Sequence, residues 1–188
     1  MTTIPLTQGY VALVDACEYE RAIIGPKWFA KVVRRKDGTV RNIYAIRHVY
    51  RNGKKTTERL HRFLLGITDD PAIQVDHAPD HSGLNNRRSN LRICTNAQNQ
   101  HNRRLDVNST SGVKGVSWDK RAGKFRASIM AGGRSKNLGC YASKYDAGRS
   151  YDVASKKYHG SYGLTNEMMN LYPKPMHITI QLQLELLA

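Results

Sequence analysis

Acidic residues are scarce in this sequence. Fifteen Asp and Glu stand against thirty Lys and Arg in 188 residues, leaving a formal charge of +15 and a pI near 10.0. Such an excess attracts a polyanion. Long apolar runs are absent too: no stretch reaches the roughly 18 residues that a spanning helix needs. The basic residues interleave with turn formers and aromatics instead of lining an amphipathic helix, so nucleic acid is expected as the partner and a membrane is not. The opening "MTTIPLTQGYVALVDACEYE" has no basic n-region and no unbroken apolar h-region, so no secretion signal is expected and the location is read as intracellular. Cysteine is rare. Cys17, Cys94 and Cys140 are odd in number, far apart and outside any C-x-x-C pair. That excludes a disulfide framework or a zinc knuckle and leaves buried or incidental thiols.

What is present divides along the chain, and the fold class read from it is α+β. From 1 to 58 short β-prone runs, "GYVALVD", "KWFAKVV" and "TVRNIYAIRHVY", are separated by the turn signals "KDG" and "RNGKK", with a short helix around "EYERAII". This reads as a small β-rich basic module, a meander. Between 31 and 62 the cations face only Asp37 and Glu58, so the sheet is either a solvated polar face or a phosphate-binding one. From 59 to 102 a helical apolar patch, "RLHRFLLGI", precedes the unusual stretch "VDHAPDHSGLNNRRSNLRICTNAQNQHN". Residues 103 to 110, "RRLDVNST", read as a linker. Residues 111 to 166 form a second compact unit of three strands, "GVKGVSWD", "KFRASIMA" and "RSKNLGCYA", and a helix from about Lys144 to His159. Tyr145, Ala147, Tyr151, Ala154 and Tyr158 recur on that helix at spacings of three and four, a stripe that would lie on the sheet. In the tail, 167 to 188, "HITIQLQLELLA" alternates in the manner of a terminal strand whose partner edge the pattern does not name.

The Asp-His stretch has the residue types that cutting a phosphodiester requires. That reaction needs a water deprotonated near neutral pH and a divalent cation to neutralise phosphate charge. An imidazole, with an unperturbed pKa of about 6.5, suits the base role. In "VDH" successive side chains of a strand end point to opposite faces, so Asp76 could turn to a cation and His77 to a water. The loop "APDHSGLNNRRS" reverses the chain, "NLRICT" returns as a strand, and "NAQNQHN" starts a helix with Thr95 or Asn96 as its N-cap. His81 sits among turn formers and is read as non-catalytic. His61 is read either as approaching the site or as structural. Arg87, Arg88 and Arg92 are read as phosphate contacts.

His77, Asn90 thirteen positions later and Asn99 nine further, in the pattern "DH…NLR…T…QN", resemble the ββα-metal motif of HNH endonucleases of the phage and intron homing type. The resemblance covers about 45 residues. It implies a metal-dependent DNA endonuclease in which His77 is the general base, Asp76 and Asn99 bind one metal, and Asn90 braces the loop behind the histidine. One carboxylate and one amide oxygen form a hard-ligand site, suited to Mg2+ or Mn2+.

The stretch from "SGVKGVSWDK" to "HGSYGLTN" resembles, along its whole length, the Apetala/ethylene-response-factor DNA-binding domain, with "GVKGVSW", "KFRA", "NLGCY" and "YDAGRSYD" as its marks. The resemblance implies a three-stranded antiparallel sheet packed on one helix, its free face entering a DNA major groove. By position Lys114, Trp118, Arg126, Arg134 and Lys136 inherit DNA contact. Phe125 stands where that family has Trp, and Gly148 interrupts its alanine-rich helix. The combined expectation is a site-specific homing endonuclease on double-stranded DNA, acting as a monomer and nicking one strand, in a bacterial cytoplasm if phage-encoded. Its rivals are a non-enzymatic DNA-binding regulator with a degenerate nuclease segment and a protein that binds or cuts RNA.

Overall fold

The computed structural model describes residues 2–67, 70 and 72–173. It is a mixed α and β chain of small antiparallel sheets that divides into two compact units, 1–100 and 101–188.

In the first unit β1 (Thr2–Pro5) pairs antiparallel with β2 (Val11–Val14), and α1 (Ala16–Ile23) follows. A three-stranded meander comes next, β3 (Phe29–Arg34), β4 (Val40–Arg51) and β5 (Lys54–Arg59). Its β3–β4 turn is closed by Asp37, whose Oδ1 accepts from the Thr39 N–H and hydroxyl. The β4–β5 turn is Asn52-Gly53, both at positive φ (50° and 73°), a two-residue loop whose twist suits a hairpin. The short α2 (Leu60–Leu65) follows directly and stops at Gly66, φ 70°.

A core of Ile4, Ala12, Val14, Ala22, Trp28, Ala45, Leu60 and Leu64 joins β1, β2, α1, β4 and α2. The boundary expected at 58/59 therefore does not separate two cores. Helix α2 is too short to bury its own apolar stripe, and Leu60 and Leu64 complete the core of the preceding strands. Inside the same unit the Arg47 guanidinium lies 4.3 Å from the Trp28 ring and 4.4 Å from the Phe63 ring. Glu58 accepts from Arg47 at 2.6 Å and from Arg51 at 2.7 Å, which compensates the buried carboxylate twice.

Strands β6 (Gln74–His77) and β7 (Leu91–Cys94) pair antiparallel, with Asp76 opposite Arg92 and His77 opposite Leu91. Helix α3 (Asn96–His101) follows. Thr95 caps it: its Oγ1 accepts from the Gln98 N–H at 3.2 Å while the Gln98 Oε1 accepts from the Thr95 N–H at 2.8 Å, a reciprocal capping box. The loop between β6 and β7 is fastened to the rest of the unit at two places. Leu13 N–H donates to Leu84 O and Asn86 N–H to Leu13 O, both at 2.8 Å. Gly83 lies so close to β4 that an added Cβ would strike the Ile43 carbonyl and approach Asn42 and Tyr44.

In the second unit β8 (Val116–Asp119), β9 (Lys124–Ala131) and β10 (Arg134–Tyr141) form a sheet in the order β10-β9-β8. Helix α4 (Lys144–His159) starts at Ser143, whose side chain accepts from the Tyr145 N–H at 3.1 Å. Ala127, Ile129, Tyr151 and Ala154 are buried, and Ile129, Tyr151 and Ala154 form a small core with Leu138 packed against it. The expected helix stripe departs from this at one end: Tyr158 is exposed, with Lys136 and Lys157 each 5.5 Å from its ring centre. Gly148 is there for want of space, since a Cβ would come within 2.7 Å of Val113.

The stretch read as a linker, 103–110, lies within this unit, whose first residue is His101. Ser109 N–H closes a turn on Asp106 O at 3.0 Å, and the Arg103 carbonyl receives the Lys114 ammonium at 2.8 Å. The strand expected in 177–188 lies outside the described residues. Among the described residues no helix is long and apolar enough to cross a membrane.

Candidate active site

His77 ends β6, and its side chain is 7% exposed. Its ring meets His61 of α2 edge-on, with centroids 4.9 Å apart at 84°, and Tyr44 of β4 lies 6.1 Å away. The Nε2 atom is buried and, among the described residues, has no hydrogen-bond partner. A buried polar atom left unpaired costs free energy. Burial pulls the His77 pKa below its ordinary value; the Asn86 amide and the carboxylates of Asp76 and Asp80 oppose that shift only in part. The ring is therefore neutral near pH 7 and able to accept a proton.

Next to it, the buried Asp76 carboxylate accepts from Arg92 Nε at 3.0 Å and from Arg92 Nη2 at 2.7 Å. The pairing follows from the register that sets the two residues opposite each other.

Asn90 is 2% exposed and ties the loop after His77 together. Its Nδ2 donates to Asp80 Oδ1 at 2.8 Å and to Asn85 O at 3.0 Å, while its Oδ1 accepts from the Asp80 N–H at 3.1 Å. Its backbone carbonyl accepts from the Ala78 N–H at 2.9 Å. Burial would raise the Asp80 pKa, but hydrogen bonds from Asn85, Ser82 and Asn90 outweigh it and keep the carboxylate ionised. His81 occupies a left-handed turn position, φ 57°. Asn99 lies on α3, half-buried, its N–H donating to Thr95 O at 3.0 Å.

The structure thus brings Asp76, His77 and the loop held by Asn90 together at one end of β6. It adds three groups that the sequence reading did not assign to the site: Tyr44, Asp80 and Asn86. His61, left open there between two roles, stands against His77. Burial holds its pKa well below the ordinary value, assisted by the charges of His77, Arg59 and Arg62. The alternation in "NIYAIRHVY" was the available signal for Tyr44, since it puts Tyr44 on the same side of β4 as Ile46 and His48.

The three arginines Arg87, Arg88 and Arg92 are employed differently. Arg88 donates to Glu18 at 2.7 Å and 3.0 Å and to Leu64 O at 2.6 Å, so it staples the loop to α1 and α2. Arg92 is taken up by Asp76. Arg87 donates from Nε to Asn85 Oδ1 at 3.0 Å and, among the described residues, forms no ion pair. Of the three cations read as phosphate contacts, Arg87 is the one whose charge no carboxylate meets.

In the second unit the expected contacts also separate. The Lys114 ammonium donates to the carbonyls of His101 and Arg103 at 2.8 Å and of Leu164 at 3.1 Å. Burial lowers its pKa to about 8. It holds the frame of the unit and is not presented to a ligand. Trp118 is opposite Phe125, Lys136 opposite Ile129 and Arg134 opposite Ala131. By the two-residue alternation these columns share the side of the sheet that α4 covers, with all three side chains exposed at its margin. Arg126 faces the open side with Ser128 and Met130 and forms an ion pair with Asp119. The free face is accordingly less cationic than the residue list suggested.

Among the described residues no three or more His, Cys, Asp or Glu gather into a ready-made metal cage. No family model matches the chain, and no solved structure does. It is 28% identical over 114 residues, 58% of this chain and 58% of the relative, to an uncharacterized HNH endonuclease of Acanthamoeba polyphaga mimivirus. It is 35% identical over 64 residues, 34% of this chain and 52% of the relative, to Protein 3.8 of Escherichia phage T7. The chain therefore spans somewhat more than half the length of these curated relatives, and the first of them gives it a distant relation to an HNH nuclease.

Proposed function

We propose that the chain is an HNH endonuclease of the homing type that hydrolyses a phosphodiester of double-stranded DNA at a specific site and cuts one strand at a time. The observation that carries this reading is the buried Nε2 of His77, unpartnered among the described residues, one residue from a buried carboxylate, at the end of the first strand of a strand, strand, helix segment. A frame that merely needed packing would have an apolar residue there, because the unpaired nitrogen costs stability.

His77 acts as the general base, taking the proton of the attacking water at Nε2. Asn90 acts at a distance, fixing the loop that follows the histidine. Asp76 and Asn99 hold one divalent cation, Mg2+ or Mn2+. The absence of a cage of three acidic or imidazole groups is compatible with such an ion, which fills its remaining positions with water and phosphate. When bound, the ion supplies charge neutralisation at the phosphate oxygens and the leaving group. Arg92 must then share or release the Asp76 carboxylate. The margin of the β8–β10 sheet and its open face anchor the duplex away from the cut, in the manner of the Apetala/ethylene-response-factor domain. With one base and one metal site per chain, a monomer yields a nick.

The Asp76–Arg92 ion pair favours a second reading, a DNA-binding regulator whose nuclease segment no longer takes a metal. Incubating the full chain with plasmid carrying its neighbouring genomic DNA, with and without Mg2+, and mapping strand ends separates the two. Broken strands at a defined position only with metal support the nuclease; retarded but intact plasmid under every divalent ion supports the regulator.

A further inference from the structure

Strand β4 outruns β3. Residues Phe29 to Arg34 pair with β4 only as far as Ile46, whereas β5 pairs with Ile46 through Arg51. The distal part, Arg47–Arg51 with Lys54–Glu58, is therefore a two-stranded ribbon that ends in the Asn52-Gly53 turn. Its two faces differ in charge. One carries Arg47, Arg51 and Lys54 together with Glu58, and that carboxylate pairs with both arginines. The other carries His48, Tyr50, Lys55 and Thr57, all exposed and without an acidic residue, and Tyr50 near the tip is 75% exposed.

This second face continues into the candidate active site. Along β4 it runs back from Tyr50 through His48 and Ile46 to Tyr44, whose ring is 6.1 Å from that of His77. Arg59, opposite Ile46, lies on the same side, its guanidinium 6.0 Å from the Tyr44 ring centre. Lys31, opposite Tyr44 on β3, adds a further exposed cation.

We propose that the β4–β5 ribbon is a second DNA contact of this protein, entering the major groove beside the cut with its His48, Tyr50, Lys55 and Thr57 face against the duplex. A two-stranded ribbon fits the major groove of B-form DNA, whereas the A-form major groove of RNA is too narrow to be read by side chains. From Tyr44 to Tyr50 is six residues, about 20 Å at roughly 3.3 Å per residue. The ribbon tip then meets the DNA about six base pairs from the cut, at roughly 3.4 Å per base pair. The proposal rests on the nuclease reading for the position of the cut and on charge and shape for the contact itself.

The neighbouring lysines make the test, because Lys54 and Lys55 carry the same charge on opposite faces. The full chain, Lys55→Ala, Tyr50→Ala and Lys54→Ala are titrated, without metal, against a random-sequence duplex of about 40 base pairs at several salt concentrations, and against a structured RNA of equal length. Lys55→Ala should weaken duplex binding and reduce the salt slope by about 0.9, the contribution of one phosphate contact. Tyr50→Ala should weaken binding without changing the slope, and Lys54→Ala should do neither. Equal effects of Lys54→Ala and Lys55→Ala, no effect of either, or a loss confined to RNA would overturn the proposal. The readout is binding, so failure of strand cutting leaves this result intact and bears on the nuclease reading alone.

Discussion

His77 in the first unit is a buried basic group and Lys114 in the second a half-buried one, and their surroundings are opposite. Lys114 donates its ammonium protons to three backbone carbonyls. Nearby, the buried Asp152 accepts from the Asn166 N–H and Nδ2, the Glu167 N–H and the Tyr172 hydroxyl. His77 keeps a buried nitrogen with nothing to bond, and its closest ring neighbour is another histidine. A basic group whose partners are complete serves the frame; the buried Nε2 of His77, at the end of β6, has no such partner among the described residues. The difference also shows why a count of cations misleads, since the donors of Lys114 and Arg88 are taken up by groups of their own unit.

The largest effects should come from removing the completed groups. Lys114→Met takes a donor from three carbonyls, of which His101 O keeps the Leu164 N–H at 3.4 Å, and Asn90→Ala leaves the Asn85 carbonyl without its donor while Asp80 keeps those from Ser82 and Asn85. Each should cost about 1 to 3 kcal/mol per group left buried and unsatisfied, lowering the melting temperature. Lys114→Met should leave strand cutting by the folded fraction in place, whereas Asn90→Ala should reduce cutting even where the protein is folded. Melting curves beside cutting rates at a temperature well below both transitions check this. If Asn90→Ala cuts normally once folded, the loop it holds has no part in the chemistry.

A smaller effect follows from the imidazole pair. Burial, then the charge of His77, depresses the His61 pKa well below 6.5. As pH falls below about 6.5 the unfolded chain therefore binds a proton that the folded chain refuses. The stability that neutral His61 permits is complete above that pH and is lost as pH falls toward the depressed folded value. Thermal melts between about pH 7.5 and about pH 5 should show the first unit weakening on the acid side, and His61→Phe should flatten the curve. An unchanged acid slope in His61→Phe would mean that His61 is not held neutral by the fold.

The smallest effect separates the loop arginines. Arg87→Ala should reduce the salt slope of DNA binding by about 0.9, whereas Arg88→Ala should act on melting temperature through its lost bonds to Glu18 and Leu64. Similar salt slopes for the two variants would contradict the division drawn between them.

Much of the second unit was legible from local pattern. The helix expected from about Lys144 to His159 has those ends, and the three strands fall where the turn formers place them. In the Asp-His stretch, the order of strand, strand and helix was readable too, and the cap was narrowed to Thr95 or Asn96, of which Thr95 serves. The rest depends on contacts far apart in sequence. Nothing local announces that Leu13 would bond Leu84 and Asn86, or that Gly83 would lie against Ile43. Nor does "LHRFLL" show that Leu60 and Leu64 complete a core that reaches from Ile4 to Ala45. The faces of Trp118, Arg134 and Lys136 are set by two-residue alternation and strand register, and a match of motifs carries neither.

The most direct test of the account is to compare His77→Ala with the parent chain on plasmid carrying the target, measuring mobility shift and Mg2+-dependent nicking together. An unchanged shift is expected, with nicking reduced by about 10²- to 10⁴-fold, the contribution of a general base. Equal nicking by the two proteins would remove His77 from the chemistry and contradict the central claim.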